Sequence, residues 1–229
     1  MTSMMRADLN CSALQGTHML PKAIFIIGAE STGSTLVSRI CGHVLCGAPM
    51  AKGEKALWAD EQGNEVWHVS LPSGAAASFP DIDLWIEKYK DTHDIRFILT
   101  TRDITLSEYS RRGRFMRRGE AEVKDQSAKA RDIMCHAMTL GYPWHIVSYE
   151  TLMFLGQPYV ELIYDFIGVE SDFAPSLRDG NLKRLQAMGP WDSFTRWLRR
   201  AWFTVRGGPN KPLPDDTRFP ADEQPPAAT

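Results

Sequence analysis

The run Ala23-Ile24-Phe25-Ile26-Ile27 is continuously apolar and stops at Gly28. That is the pattern of a strand buried on both faces of a sheet, and it predicts the central strand of the fold. Directly after it, Leu36, Val37, Ile40 and Val44 recur at helical spacing, with Gly42 as an interior weak point. Val66 to Leu71 reads as a second strand ended by Pro72, followed by a small-residue loop from Ser73 to Ser78 and a short helix over Asp81 to Lys90. Arg96 to Thr101 predicts a third strand, helical patterns cover Thr105 to Arg112 and Glu120 to Met138, and Trp144 to Tyr149 predicts a fourth strand. Pro158 in a first turn and Gly168 beyond the last bracket a helix that turns Val160, Ile163 and Ile167 inward. Strands alternating with helices imply parallel pairing through crossovers, so the expected fold class is α/β: three layers, α/β/α, around a central, mostly parallel sheet.

Either side of that core the pattern changes. Residues 1–20 carry no clear periodicity and read as a flexible leader, the α/β domain spans 21–206, and 207–229 is a proline-rich tail too poor in large apolar residues to offset its ordering entropy. The last part of the domain, Trp191 to Arg206, sets Trp191, Phe194, Leu198, Trp202 and Val205 on one helical stripe, opposite Arg196, Arg199, Arg200 and Arg206. Such a helix suits either a final layer packed on the domain or peripheral contact with a membrane surface.

Composition narrows the class. With 229 residues, 43% of them hydrophobic and 24% charged, the chain has the make-up of one soluble domain with tails. No apolar run approaches the ~18 residues of a spanning helix, and no secretory signal is visible, so a cytoplasmic location is expected. Cys11, Cys41, Cys46 and Cys135 form no C-x-x-C pair and read as buried thiols; six scattered histidines give no reason to expect a metal centre. A net charge of −2 argues against binding nucleic acid, yet it averages unlike parts: Arg96 to Arg118 holds seven arginines against Asp103 and Glu108. Arg111 to Arg118 fits a solvated basic face, while the segment as a whole permits a local anion site.

The candidate chemistry begins at Gly28-Ala29-Glu30-Ser31-Thr32-Gly33-Ser34-Thr35, set between the buried strand and the amphipathic helix. Glycines let a backbone wrap tightly, successive N–H groups point inward, and a helix N-terminus adds positive potential; this makes a P-loop-like strand-loop-helix at the centre of the sheet. The spacing is G-x-x-x-x-G, but Ser34 stands before Thr35 where a nucleoside triphosphatase has lysine. The hydroxyls of Ser31, Thr32, Ser34 and Thr35 suit an anion. Arg102, at the carboxyl end of the third strand, stands where ligands of open α/β sheets bind, and Ser110 follows eight residues on, two turns along a helix.

In these residues the chain resembles the sulfotransferases that use 3′-phosphoadenosine-5′-phosphosulfate (PAPS). Gly28 to Thr35 is similar to their G-x-x-[KR]-S-G-[TS]-[TS] loop, and Arg102 with Ser110 is similar to their strand-terminal Arg and the Ser eight residues later. Tyr149-Glu150-Thr151-Leu152 looks like their Y-E-x-L, with Ile167-Gly168-Val169 closing the next helix. The likeness covers about Ala23 to Val169. It implies that Gly28 and Ser31 to Thr35 (Ser31, Thr32, Gly33, Ser34, Thr35) hold the 5′-phosphosulfate, that Arg102 and Ser110 hold the 3′-phosphate, that PAPS is the co-substrate, and that no metal is needed. The chain departs from the family at Ser31, where a Lys or Arg is usual, so the cation facing the leaving phosphate has to come from Arg39, Lys52 or one of Arg111 to Arg114.

Sulfuryl transfer to a hydroxyl or amine needs a base for the acceptor proton. Two residues qualify: His68, on the second strand and on the same face as Ser70, and Glu30, inside the loop. The expected acceptor is a hydroxyl or amine, in a carbohydrate or another biomolecule, selected by loops such as Cys46 to Glu65 and Arg114 to Lys124. Two other classes fit the same residues: a P-loop kinase or phosphotransferase with an atypical loop, and a non-catalytic nucleotide-binding protein.

Overall fold

Strand β1 (Lys22–Ala29) is buried from Ala23 to Gly28 and hydrogen-bonded to a parallel neighbour along each edge. On one side lies β3 (Glu65–Leu71), with Ile26 opposite His68 and Gly28 opposite Ser70. On the other lies β4 (Asp94–Thr101), with Gly28 opposite Thr100. A short antiparallel strand, β2 (Leu57–Ala59), extends the sheet beyond β3, and β5 (Trp144–Ser148) runs parallel to β4, giving the order β2-β3-β1-β4-β5. This computed structural model describes residues 20–50, 56–73, 78–114 and 119–181. The leader, Cys11, Lys52, the amphipathic segment Trp191 to Arg206 and the tail lie outside the described residues.

The helices are α1 (Ser34–Cys46), α2 (Ile82–Tyr89), α3 (Ile104–Arg114), α4 (Glu120–Thr139), α5 (Tyr149–Leu155) and α6 (Gln157–Ile167). The α/β class and the mostly parallel sheet expected from the pattern are present, with β1 at the centre. Two hydrophobic clusters form, and alternation along β1 divides them: Ala23, Phe25 and Ile27 join one, Ile24 and Ile26 the other. In the first, Phe25 stacks on Trp85 of α2 at 5.2 Å and on Phe97 of β4 at 5.6 Å, and meets Tyr89 edge-on. The second gathers Val37, Ile40 and Cys41 of α1 with Val160, Ile163 and Ile167 of α6. Gly42, weak for a helix, has a packing reason: a Cβ there would lie 2.6 Å from the indole of Trp58, which covers that point.

Three details differ from the expectation. The fourth strand stops at Ser148 rather than Tyr149, because the Ser148 side chain caps a new helix by accepting from the Thr151 N–H, and α5 starts there. The three-residue β2 is too short for a period-2 signal. Nor are all the cysteines buried thiols. Cys41 is fully buried, and burial pushes its thiol up; Cys46 is half-buried and pushed up to about 12 by burial and then by the Asp60 and Glu65 carboxylates; but Cys135 lies on the exposed side of α4. Position 135 lies about 140° around α4 from Ala130, on the side opposite the buried Ala130 and Ala137.

Along the outer edge of β5 the Tyr159 hydroxyl donates to the Ile146 carbonyl at 3.1 Å and accepts the Ser148 N–H at 3.3 Å. Beside it Trp144 and Ile146 are about 40% exposed. Among the described residues no helix is long and apolar enough to cross a membrane.

Two measurements check this packing. Phe25→Ala removes the ring shared by three aromatic partners and is expected to cost about 3–5 kcal/mol in urea denaturation. Of the three described cysteines, Cys135 is expected to react first with a soluble thiol reagent under native conditions, Cys41 and Cys46 only on unfolding, as read by peptide mapping.

Candidate functional site

The site is built on the turn from β1 into α1. The turn is tight because two residues take left-handed backbone: Gly33 at φ 93°, and Ser31 at φ 69°, a conformation a serine rarely adopts. Gly33 is also needed for space, since a Cβ there would lie 2.7 Å from the Tyr149 ring. Gly28 is tighter still: a Cβ would fall 1.9 Å from Thr100 Oγ1. Thr32 latches the turn by donating to the Ala29 carbonyl at 2.7 Å, with its hydroxyl 2.8 Å from that of Thr100. No side chain caps the N-terminus of α1. The first turn of α1 therefore presents its positive end toward the mouth of the loop.

Of the four loop hydroxyls expected to face an anion, two are turned into the protein. Thr32 is engaged as above, and Ser34 Oγ lies 2.9 Å from Nε2 of His68; both residues are buried. Ser31 and Thr35 are partly exposed. His68 is brought to the loop by register: it pairs with Ile26, two residues before Gly28, and its ring is on the face of the sheet that α1 covers. Ser70 Oγ lies 3.5 Å from the same nitrogen.

Arg102 reaches the loop from the other flank. Its Nη1 donates to the Ser31 carbonyl at 2.8 Å, and its guanidinium lies over the Tyr149 ring, 4.7 Å from the centroid. Nε and Nη2 both donate to Oδ1 of Asn181. Ser110 is buried on α3, two turns beyond, and no hydrogen bond joins it to Arg102. The Ser that reaches the loop from α3 is Ser107, which donates to the Glu30 carbonyl at 3.0 Å.

Glu30 turns away from His68, toward α3 and α4. Its carboxylate lies 3.5 Å from Nε of Arg111, whose guanidinium also donates to Ser127 Oγ at 2.7 Å and Gln126 Oε1 at 2.9 Å. Arg111 has no exposed surface, so it is not part of a solvated basic face. Burial of an arginine in that position requires the carboxylate and the amide that surround it. The two base candidates thus stand on opposite flanks, His68 against the loop and Glu30 against Arg111.

Asn181 and Thr100 contact the site without having been visible in the sequence. Asn181 stands 79 residues from Arg102, and a lone Asn so far from its partner gives no signal. Thr100 is one more β-branched residue in a strand, and only the register exposes its role. Among the described residues no group of His, Cys, Asp and Glu is arranged to hold a metal ion. Comparison of the chain with protein-family models, with curated proteins and with solved structures finds no match.

Arg111→Ala is expected to destabilise the fold by about 3–5 kcal/mol, because it leaves the Glu30 carboxylate and the Gln126 amide without the charge that holds them. Guanidinium denaturation of the variant beside the parent chain measures this.

Proposed function

We propose that the chain is a PAPS-dependent sulfotransferase, a P-loop-like, three-layer α/β enzyme of the cytoplasm that moves a sulfuryl group to a hydroxyl or amine. The observation that carries the reading is the hydrogen bond from Arg102 to the Ser31 carbonyl, which sets a cation from β4 directly beside an uncapped helix N-terminus. A ligand with two anionic ends fits two adjoining positive features better than one with a single end. In this reading the loop from Gly28 to Thr35 receives the 5′-phosphosulfate and Arg102 receives the 3′-phosphate, with Ser110 supporting α3.

The transfer itself is a displacement at sulfur. The acceptor oxygen or nitrogen forms its bond to sulfur as the bond from sulfur to the phosphate oxygen breaks, the acceptor proton passes to a base, and 3′-phosphoadenosine-5′-phosphate leaves. Glu30 is held by Arg111, which favours His68 as the base. Ser34 Oγ lies 2.9 Å from Nε2 of His68, and in this reading the acceptor hydroxyl takes its place when bound. The loop lacks the usual cation at Ser31, so in this reading the α1 N-terminus carries the leaving 5′-phosphate while Arg102 holds the 3′-phosphate. The acceptor in this reading is a carbohydrate or another biomolecule with a free hydroxyl or amine.

Thermal denaturation decides the reading. A hundredfold excess of 3′-phosphoadenosine-5′-phosphate over its dissociation constant is expected to stabilise the chain by about 2.7 kcal/mol, with Arg102→Ala weakening binding roughly tenfold or more. A response to magnesium ATP and none to the bisphosphate would replace the sulfotransferase by a kinase. With sulfated product as the readout, His68→Ala is expected to lower kcat by about a hundredfold or more.

A further inference from the structure

The guanidinium of Arg102 is already engaged within the protein. Its Nε and Nη2 edge, the side with which arginine grips a pair of phosphate or carboxylate oxygens, is given to one neutral oxygen, Oδ1 of Asn181. Asn181 is 8% exposed and belongs to a strap, Arg178 to Asn181, that lies against Arg102 and Tyr149. Tyr149 holds both parts. Its ring lies against Arg102, while its hydroxyl accepts the Gly180 N–H at 2.7 Å and donates to the Arg178 carbonyl at 3.3 Å. Asp179 Oδ1 accepts the Asn181 N–H at 2.7 Å, and Glu150 Oε1 lies 3.4 Å from the Asn181 amide nitrogen and 3.1 Å from the Asp103 N–H that donates to it.

We propose that this strap is an internal competitor for the anion seat of Arg102: Asn181 Oδ1 fills the seat when it is empty, and an incoming phosphate or sulfate group has to displace it. The inference rests on the reading that Arg102 receives an anion. It follows from the difference between acceptors. A neutral amide oxygen holds a guanidinium less strongly than a dianion does, so the strap yields to phosphate and not to water or a neutral nucleoside. The seat is thereby closed to weak ligands without being closed to the charged one. Because Tyr149 ties the strap to the face that supports Arg102, displacement is expected to free the Gly180 N–H.

Isothermal titration of the full chain with 3′-phosphoadenosine-5′-phosphate tests this on two variants of the strap. Asn181→Ala removes the competitor and is expected to tighten binding roughly two- to tenfold. Asn181→Asp replaces it with a charged one and is expected to weaken binding roughly tenfold or more. If the parent chain binds and Asn181→Ala binds equally or more weakly, Asn181 positions Arg102 rather than competing for it, and the inference fails while the functional reading stands. If the parent chain does not bind the bisphosphate, the functional reading fails, and a second measurement judges the strap alone. Amide hydrogen exchange at Gly180, followed by NMR, is expected to be slow in the free chain and faster in high sodium sulfate, with no sulfate response in Arg102→Ala. Protection at Gly180 that sulfate leaves unchanged in the parent chain overturns the inference.

Discussion

Everything at the candidate site hangs on β1 being hydrogen-bonded along both edges at once. With β3 on one side and β4 on the other, each in parallel register, the level of Gly28 becomes a shared datum for three strands. His68 arrives two residues below that level and Arg102 two residues past Thr100, so an imidazole and a guanidinium flank the turn without any loop having to place them. Parallel pairing also puts the carboxyl ends of all three strands on the same side of the sheet, which is where such folds bind ligands. Phe25, packed between Trp85, Tyr89 and Phe97, is the apolar counterpart of this constraint, since the same strand that carries the site also anchors the core.

The electrostatics divide in the same way. One arginine near the loop is structural and another is available. Arg111 is sealed between α3 and α4, with its charge answered by Glu30 and its remaining donors by Gln126 and Ser127. Arg102 is supported on the face of Tyr149 and bonded only to neutral oxygens. An anion approaching the turn therefore meets the second charge and not the first. The carboxylate of Glu30, which sits in the loop and would repel that anion, is turned aside by the arginine that cannot reach it.

Much of this was legible in the chain itself. The buried run before Gly28, the glycine spacing and the arginine closing the next apolar run place strand, turn and cation correctly, because each rests on local periodicity and on which residues tolerate a tight turn. What periodicity does not carry is which way a side chain turns when two partners compete for it. Thr32 and Ser34 read as anion-facing hydroxyls and are instead committed to Thr100 and His68. Arg111 reads as one of a basic cluster and is instead fully buried. Asn181 is silent in the sequence because its partner is 79 residues away.

The phenol of Tyr159 has a meaning beyond its two hydrogen bonds. In a parallel strand the N–H and C=O of alternate residues point outward together, so the Ile146 carbonyl and the Ser148 N–H are two of the groups a sixth strand would pair with. Next to them stand Trp144 and Ile146, apolar and partly exposed, on a strand that would otherwise be a template for another chain. By taking both backbone groups with one hydroxyl, a side chain from the neighbouring helix closes the β5 edge of the sheet among the described residues. Closure of this edge among the described residues thus depends on a plug only one atom wide, supplied from outside the sheet.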